Sequence, residues 1–165
     1  MPDSMAVKLK LDFTTMKPSV YCSLLVILAV SNACKKQATI TDPIPDVPVN
    51  ITINMALPKY SHLLNANTFV FEEGGVKGVA IVHYNNDEYY AFDRCCTYES
   101  SKSCAQVEVD SSFLIFRCGQ TTASGFQKCC DSKFLFDGNV FNGPATYGLK
   151  MYALNKQGSL ITITN

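Results

Sequence analysis

Eight cysteines and two histidines stand in a chain of 165 residues that has no tryptophan. Six of the cysteines fall between positions 95 and 130, as Cys95, Cys96 and Cys104 and then Cys118, Cys129 and Cys130. Thiols at that density close disulfides, hold a soft metal or iron–sulfur cluster, or exchange disulfides with a partner. The spacing does not choose among these. No Cys-x-x-Cys occurs, so standard finger and ferredoxin patterns are absent. The adjacent pairs Cys95-Cys96 and Cys129-Cys130 invite thiol exchange, but no helix is expected whose N-terminus would lower a thiol pKa. The two histidines, His62 beside Leu63 and His83 within Ala80–Tyr84, lie more than three residues from any cysteine and read as packed or edge residues.

Other chemistry is not signalled. There is no Gly-rich phosphate loop, no Gly-x-Ser-x-Gly elbow and no His-Glu-x-x-His, so no catalytic residue is assigned. Fourteen Lys and Arg balance fourteen Asp and Glu. Such a chain lacks the basic face that nucleic-acid binders need, and no nucleic-acid partner is expected. With 47% apolar and 17% charged residues it is not a disordered chain. Asp93-Arg94 reads as a local ion pair at a strand end.

The elements that must position the cysteines are short strands. Val49–Met55 alternates apolar and polar residues with period two, as a half-buried strand does. Thr68–Glu72 is another strand, and Ser61–Asn65 a single helical turn. Three hairpins follow: Val79–Tyr84 with Glu88–Asp93, Val107–Val109 with Phe113–Arg117, and Lys150–Leu154 with Leu160–Thr164. The turn of the last is placed at Asn155–Gly158. No segment keeps a helical period, so residues 49–165 are expected to form an all-β sandwich or barrel. Each cysteine group is expected in a loop that follows a strand.

The first third reads as addressing. Residues 1–33 form a signal region: Lys17, the apolar run 20–30, then small residues. Met16-Lys17 makes a more usual start than Met1. Eleven apolar residues are too few to span a bilayer, which takes roughly twenty. Ser31-Asn32-Ala33-Cys34 resembles a bacterial lipoprotein box, which implies lipidation of Cys34 and a membrane partner through that anchor. Residues 34–48, with Pro43, Pro45 and Pro48, read as anchor and tether. A bacterial envelope location follows, at the outer membrane facing the periplasm, where disulfides persist.

The β region resembles the Rieske iron–sulfur domain. Tyr90-Ala91-Phe92-Asp93-Arg94-Cys95-Cys96-Thr97-Tyr98 is similar to the strand entering that family's first Cys-x-His box. Val107–Asp110 and Phe113–Cys118 resemble the hairpin before its second box. Cys130-Asp131-Ser132-Lys133-Phe134 and Asp137-Gly138 resemble the end of that box, and Gly143-Pro144-Ala145, Leu149 and Tyr152 complete the pattern. The family's centre holds two irons, one by two Cys and the other by two His. Cys96 matches the first Cys, but Tyr98 and Cys130 stand where the imidazoles belong. Cys118 matches the second Cys only across an insertion, Gly119–Lys128; without the gap Gln127 takes that place.

The resemblance implies a disulfide between Cys104 and Cys129, with Cys96 paired to Cys118 or Cys130 as further candidates and Cys95 in reserve. The departures at Tyr98 and Cys130, with only two His in the chain, argue against the family's standard cofactor, and none is expected. The alternative is an electron-transfer protein with zinc or an all-Cys 2Fe–2S cluster on Cys96, Cys118 and Cys130, completed by Cys95 or Cys129. A disulfide-stabilised binding or structural module with an unidentified envelope partner is the first expectation; a thiol redox enzyme is the third.

Overall fold

The computed structural model describes residues 42–165. The signal region, Cys22, Cys34 and the start of the tether lie outside the described residues. Ten strands follow in order: β1 (Asn50–Asn54), β2 (Thr68–Glu72), β3 (Val79–His83), β4 (Tyr89–Asp93), β5 (Val107–Asp110), β6 (Ile115–Thr122), β7 (Gly125–Leu135), β8 (Val140–Asn142), β9 (Ala153–Gln157) and β10 (Leu160–Thr164), with a 3-10 turn at Ser61–Leu64. They pair antiparallel into three sheets, β1-β10-β9, β2-β3-β4 and β5-β6-β7-β8. The all-β expectation holds, and no helix among the described residues is long and apolar enough to cross a membrane.

The middle sheet organises two cores. Strand β3 reads Val-Ala-Ile-Val-His and is buried along its whole length, because successive side chains point to opposite faces and both faces are covered. Ala80 and Val82 join Phe92, Phe116, Phe134 and Phe136 in one core; Val79 and Ile81 join Ile53, Ile161, Ile163 and Tyr152 in the other. The first core is built on aromatic contacts, Phe92 edge-on to Phe116 at 5.9 Å and Phe116 against Phe136 at 5.6 Å. Gly138 carries φ +85°, and a Cβ there would meet the Phe92 ring at 2.5 Å, so this turn requires glycine.

Three expectations are corrected. Two strands, β7 and β8, were not foreseen. The last hairpin turns at Gly158-Ser159, with Gln157 opposite Leu160 and Gly158 at φ +60°, so Asn155–Gln157 lie in β9. Asp93 and Arg94 do not pair with each other, since neighbours on an extended chain face opposite ways. Arg94 instead reaches Glu108 at 2.6 Å and covers the Phe71 ring at 3.7 Å.

The packed domain also begins earlier than residue 49. Ile44 is buried, Ser100 donates to the Pro43 carbonyl at 2.9 Å, and Lys150 pairs with Asp46. Asn165 closes the strap from the far end, donating to the Val47 carbonyl and accepting from the Val49 N–H. Ile44 supplies the apolar anchor that the proline pattern hid.

Asp93 is fully buried. One carboxylate oxygen accepts from the Val76 N–H at 2.6 Å and the Tyr152 hydroxyl at 2.7 Å. The other accepts from the Cys95 N–H at 2.8 Å and the Lys77 N–H at 3.3 Å. Burial, then this carboxylate, push the Tyr152 hydroxyl well above its ordinary pKa. Gly75, at φ +57°, leaves the room: a Cβ there would overlap both Asp93 and Tyr152. In Asp93→Asn one acceptor oxygen becomes an amide NH2 and at least one buried donor loses its partner. Chemical denaturation of this variant is expected to show a loss of about 2 kcal/mol; an unchanged midpoint would refute the role given to the carboxylate.

Candidate functional site

The first cysteine group leaves strand β4. Asp93 fixes the Cys95 N–H, Cys95 makes an isolated bridge with Gln106, and Cys96 donates its N–H to the Ala105 carbonyl at 3.1 Å. The loop from Arg94 to Gln106 is thus pinned at its base on both sides. Cys95 and Cys96 are buried and Cys104 is half-buried.

The second group sits within the β6–β7 hairpin. Arg117 pairs with Lys133, and Gly119 with Lys128. A single residue, Cys118, therefore faces four, Cys129 to Ser132. That bulge is the second cysteine loop, carried inside a strand. The insertion Gly119–Lys128 is the outer end of the same hairpin, turning between Thr122 and Gly125. It keeps Cys118 in register at the base of the bulge. Gln127, the alternative match to the second Cys, pairs with Gln120 on the exposed outer hairpin. A bulge of this kind re-aims side chains out of the pleat, and here it turns Cys130 toward Cys96.

Cys104 and Cys129 form a disulfide, with Cα atoms 5.5 Å apart; it is the pair the family resemblance implies. The further bridges do not form in this structure, where Cys95, Cys96, Cys118 and Cys130 are thiols. Three of these converge. The sulfurs of Cys96, Cys118 and Cys130 all lie within 4.8 Å of one another, with Cys96 and Cys130 at 3.8 Å. That is contact between unbonded sulfurs, since a disulfide brings them to about 2.0 Å. Neither candidate fourth ligand belongs to the cluster: Cys129 is in the disulfide, and Cys95 points its thiol at the Ser100 carbonyl, 3.6 Å away.

The thiols differ in acidity because their surroundings differ. A hydrogen bond from the Cys118 thiol does most to bring Cys96 down to about 7, and burial opposes it. Cys118 is pushed far up, because its proton is the one shared with Cys96 and burial adds to the effect. Burial first, then Asp93, push Cys95 up to about 11, which leaves it inert. The Ser132 N–H donates to the Cys130 sulfur at 3.4 Å. Ser132 is itself held by the Ala145 N–H, which donates to its hydroxyl at 3.1 Å. Cys118 and Cys130 also line a groove of about 220 Å³, whose rim carries Arg117, Lys128 and Lys133.

The imidazoles are elsewhere. His62, on the 3-10 turn, bonds the Phe69 carbonyl at 3.0 Å. His83 is buried, bonds the Leu63 carbonyl at 2.8 Å and stacks on Tyr89 at 4.1 Å. Tyr98, which the resemblance sets at the first imidazole position, packs half-buried against the aromatic core. Tyr89 and Tyr90 likewise pack against the two cores. The donor set does not fit a two-iron centre with two Cys and two His. Nor does the spacing suit one, because ligands on opposite irons stand across the cluster, well beyond 4.8 Å.

No protein-family model and no curated protein matches the chain. Among solved structures it is similar to the plasma-membrane Rieske protein PetC3 of the cyanobacterium Synechocystis PCC 6803, with 24% identity and a TM-score of 0.50 over 71% of this chain and 99% of that one. A second similar structure is the ferredoxin of carbazole 1,9a-dioxygenase from Nocardioides aromaticivorans IC177, at 15% identity and a TM-score of 0.42, covering 72% of this chain and 97% of that one. With the paired cysteine loops and the three antiparallel sheets, the likeness to the first structure makes this a Rieske-like β domain in fold.

Proposed function

We propose that the protein is a lipid-anchored envelope protein whose Rieske-like domain has lost the standard 2Fe–2S ligands and acts as a disulfide-stapled binding or structural module. The observation that carries this reading is the donor set. By the resemblance Tyr98 and Cys130 stand at the two imidazole positions, and both histidines are engaged with backbone carbonyls outside the cysteine loops. A phenol and a thiol do not supply the neutral nitrogen ligands that set the potential of such a centre. What remains of the two boxes is their scaffold, the Cys104–Cys129 bridge and the Ser132–Ala145 bond.

The anchor is argued from sequence. Cys34 follows a short apolar run and small residues, and acyl chains there would supply about 0.8 kcal/mol per buried CH2. With residues 42–48 on the domain, residues 35–41 are left as tether. At about 3.1 Å per residue when extended, they hold the domain about 20 Å from the lipid. The partner is an envelope protein or ligand met within that reach, on the periplasmic side of the outer membrane.

Three measurements test this reading. The full chain, produced in a bacterial envelope and purified in detergent, is expected to be free of stoichiometric iron and acid-labile sulfide and to show no brown chromophore. Two irons and two sulfides per chain would overturn the loss of the centre. Cys34→Ser is expected to move the protein from the membrane fraction to the soluble fraction, and retention on the membrane would overturn the anchor. The double variant Cys104→Ser/Cys129→Ser opens a loop whose ends are 25 residues apart. It is expected to lose about 3 kcal/mol of stability; a variant that melts with the native protein would remove the bridge from its stapling role.

A further inference from the structure

Three separate segments deliver one sulfur each to the same point: the first loop brings Cys96, strand β6 brings Cys118, and the β7 bulge brings Cys130. We infer that these three thiolates bind a single thiophilic d10 metal ion, zinc, with its fourth position open to the groove. The inference rests on the loss of the two-iron centre and goes beyond it, because it assigns the vacated place a different occupant.

Spacing is the first ground. A tetrahedral zinc ion with bonds of about 2.3 Å to sulfur sets its ligands about 3.8 Å apart. Cys96 and Cys130 are at 3.8 Å, and all three sulfurs fall within 4.8 Å. Sulfurs that close crowd around one ion and leave no room for two irons between them. Three thiolates are also the donor type that soft and borderline ions select.

The surroundings are the second ground. Sulfurs that carry metal usually receive hydrogen bonds from the shell behind them. Here the Ser132 N–H donates to Cys130 at 3.4 Å, and Ser132 is in turn fixed by the Ala145 N–H. Three thiolates and one divalent ion leave a net charge of −1. On the rim beside Cys118 and Cys130, Arg117, Lys128 and Lys133 outnumber Asp110 and Asp131. The same groove supplies an entry path. Among the described residues no fourth His, Cys, Asp or Glu joins the cluster, so a water or a small ligand from the groove completes the shell. Binding breaks the remaining S–H bonds, forms three sulfur–zinc bonds and releases the protons to solvent; no electrons move.

The test uses the full chain in detergent, purified without chelator, with cobalt(II) as the optical probe. One zinc per chain is expected on isolation. After the zinc is removed, one cobalt(II) per chain should give the intense visible bands of a tetrahedral thiolate site, and zinc should displace it. Cys118→Ser and Cys130→Ser are each expected to weaken cobalt binding at least about tenfold. Cys130 is half-buried, so its variant keeps the fold if Cys118→Ser does not; Cys95→Ser, outside the cluster, should bind as the native chain does. Failure of the reduced chain to bind zinc or cobalt would overturn the site and leave the loss of the two-iron centre standing. Binding that survives Cys130→Ser, a second disulfide among the three thiols in the intact mass, or one copper(I) per chain with zinc refused would each overturn it too. Two irons and two sulfides per chain would overturn both readings.

Discussion

The Asp93 carboxylate is the constraint on which the rest of the molecule depends. It stands at the end of β4, where the middle sheet stops, and gathers donors from three places: the Gly75–Lys77 turn, the first residue of the cysteine loop, and Tyr152 at the approach to β9. A buried carboxylate is costly unless its lone pairs are used, and these are. Because the Cys95 N–H is one of the donors, the direction in which the chain leaves the sheet is set by this knot. The place of the Cys96 sulfur follows from it. Fold and site are therefore joined at one side chain, which explains why Gly75, with its positive φ, brings backbone so close to it.

Where side chains alternate, the sequence showed the fold. Strands β1, β2, β3, β4, β5 and β10 came within a residue or two of their observed ends, since half-buried strands write their burial as period two and fully buried ones as apolar runs. Strand β7 was not legible. Gly-Phe-Gln-Lys-Cys-Cys-Asp-Ser-Lys-Phe-Leu mixes polar and apolar residues on both faces, because its outer half lies in the exposed hairpin and its middle is bulged. A bulge breaks the period that would reveal the strand. The last hairpin was misplaced for a different reason. Asn155, Lys156 and Gln157 are turn-prone residues, but Gly158 alone has the left-handed conformation that a two-residue turn demands.

The site was legible in composition and not in geometry. The missing imidazoles could be read from two histidines standing far from the cysteine groups. The convergence of Cys118 with Cys96 and Cys130 could not, because it depends on the insertion Gly119–Lys128 folding as an extension of the β6–β7 hairpin. Had those residues formed an open loop, Cys118 would be an ordinary strand residue at the edge of the core. Paired as Gly119 with Lys128 and Thr122 with Gly125, they fix the register below them. Gly119 is required there, since its φ is +150° and a Cβ would collide with the Gln127 carbonyl.

A cluster of thiols in an apolar core could be no more than packing, since free cysteine behaves as a small hydrophobe. Two features set this cluster apart from packing. Cys95 shows what a packed thiol looks like here: alone, aimed at a carbonyl, and made a weaker acid by burial. Cys96 lies one residue away in the same core and is shifted in the opposite direction, chiefly because the Cys118 thiol donates to its sulfur. The difference lies in what stands beside each sulfur: Cys96 has the sulfurs of Cys118 and Cys130 within 4.8 Å, and Cys95 does not join them. The Ser132 N–H, which donates to the Cys130 sulfur at 3.4 Å, sits on the bulge that resembles the end of the Rieske second box. The bulge thus orients sulfur, with the Cys130 thiol at the position where the resemblance sets an imidazole.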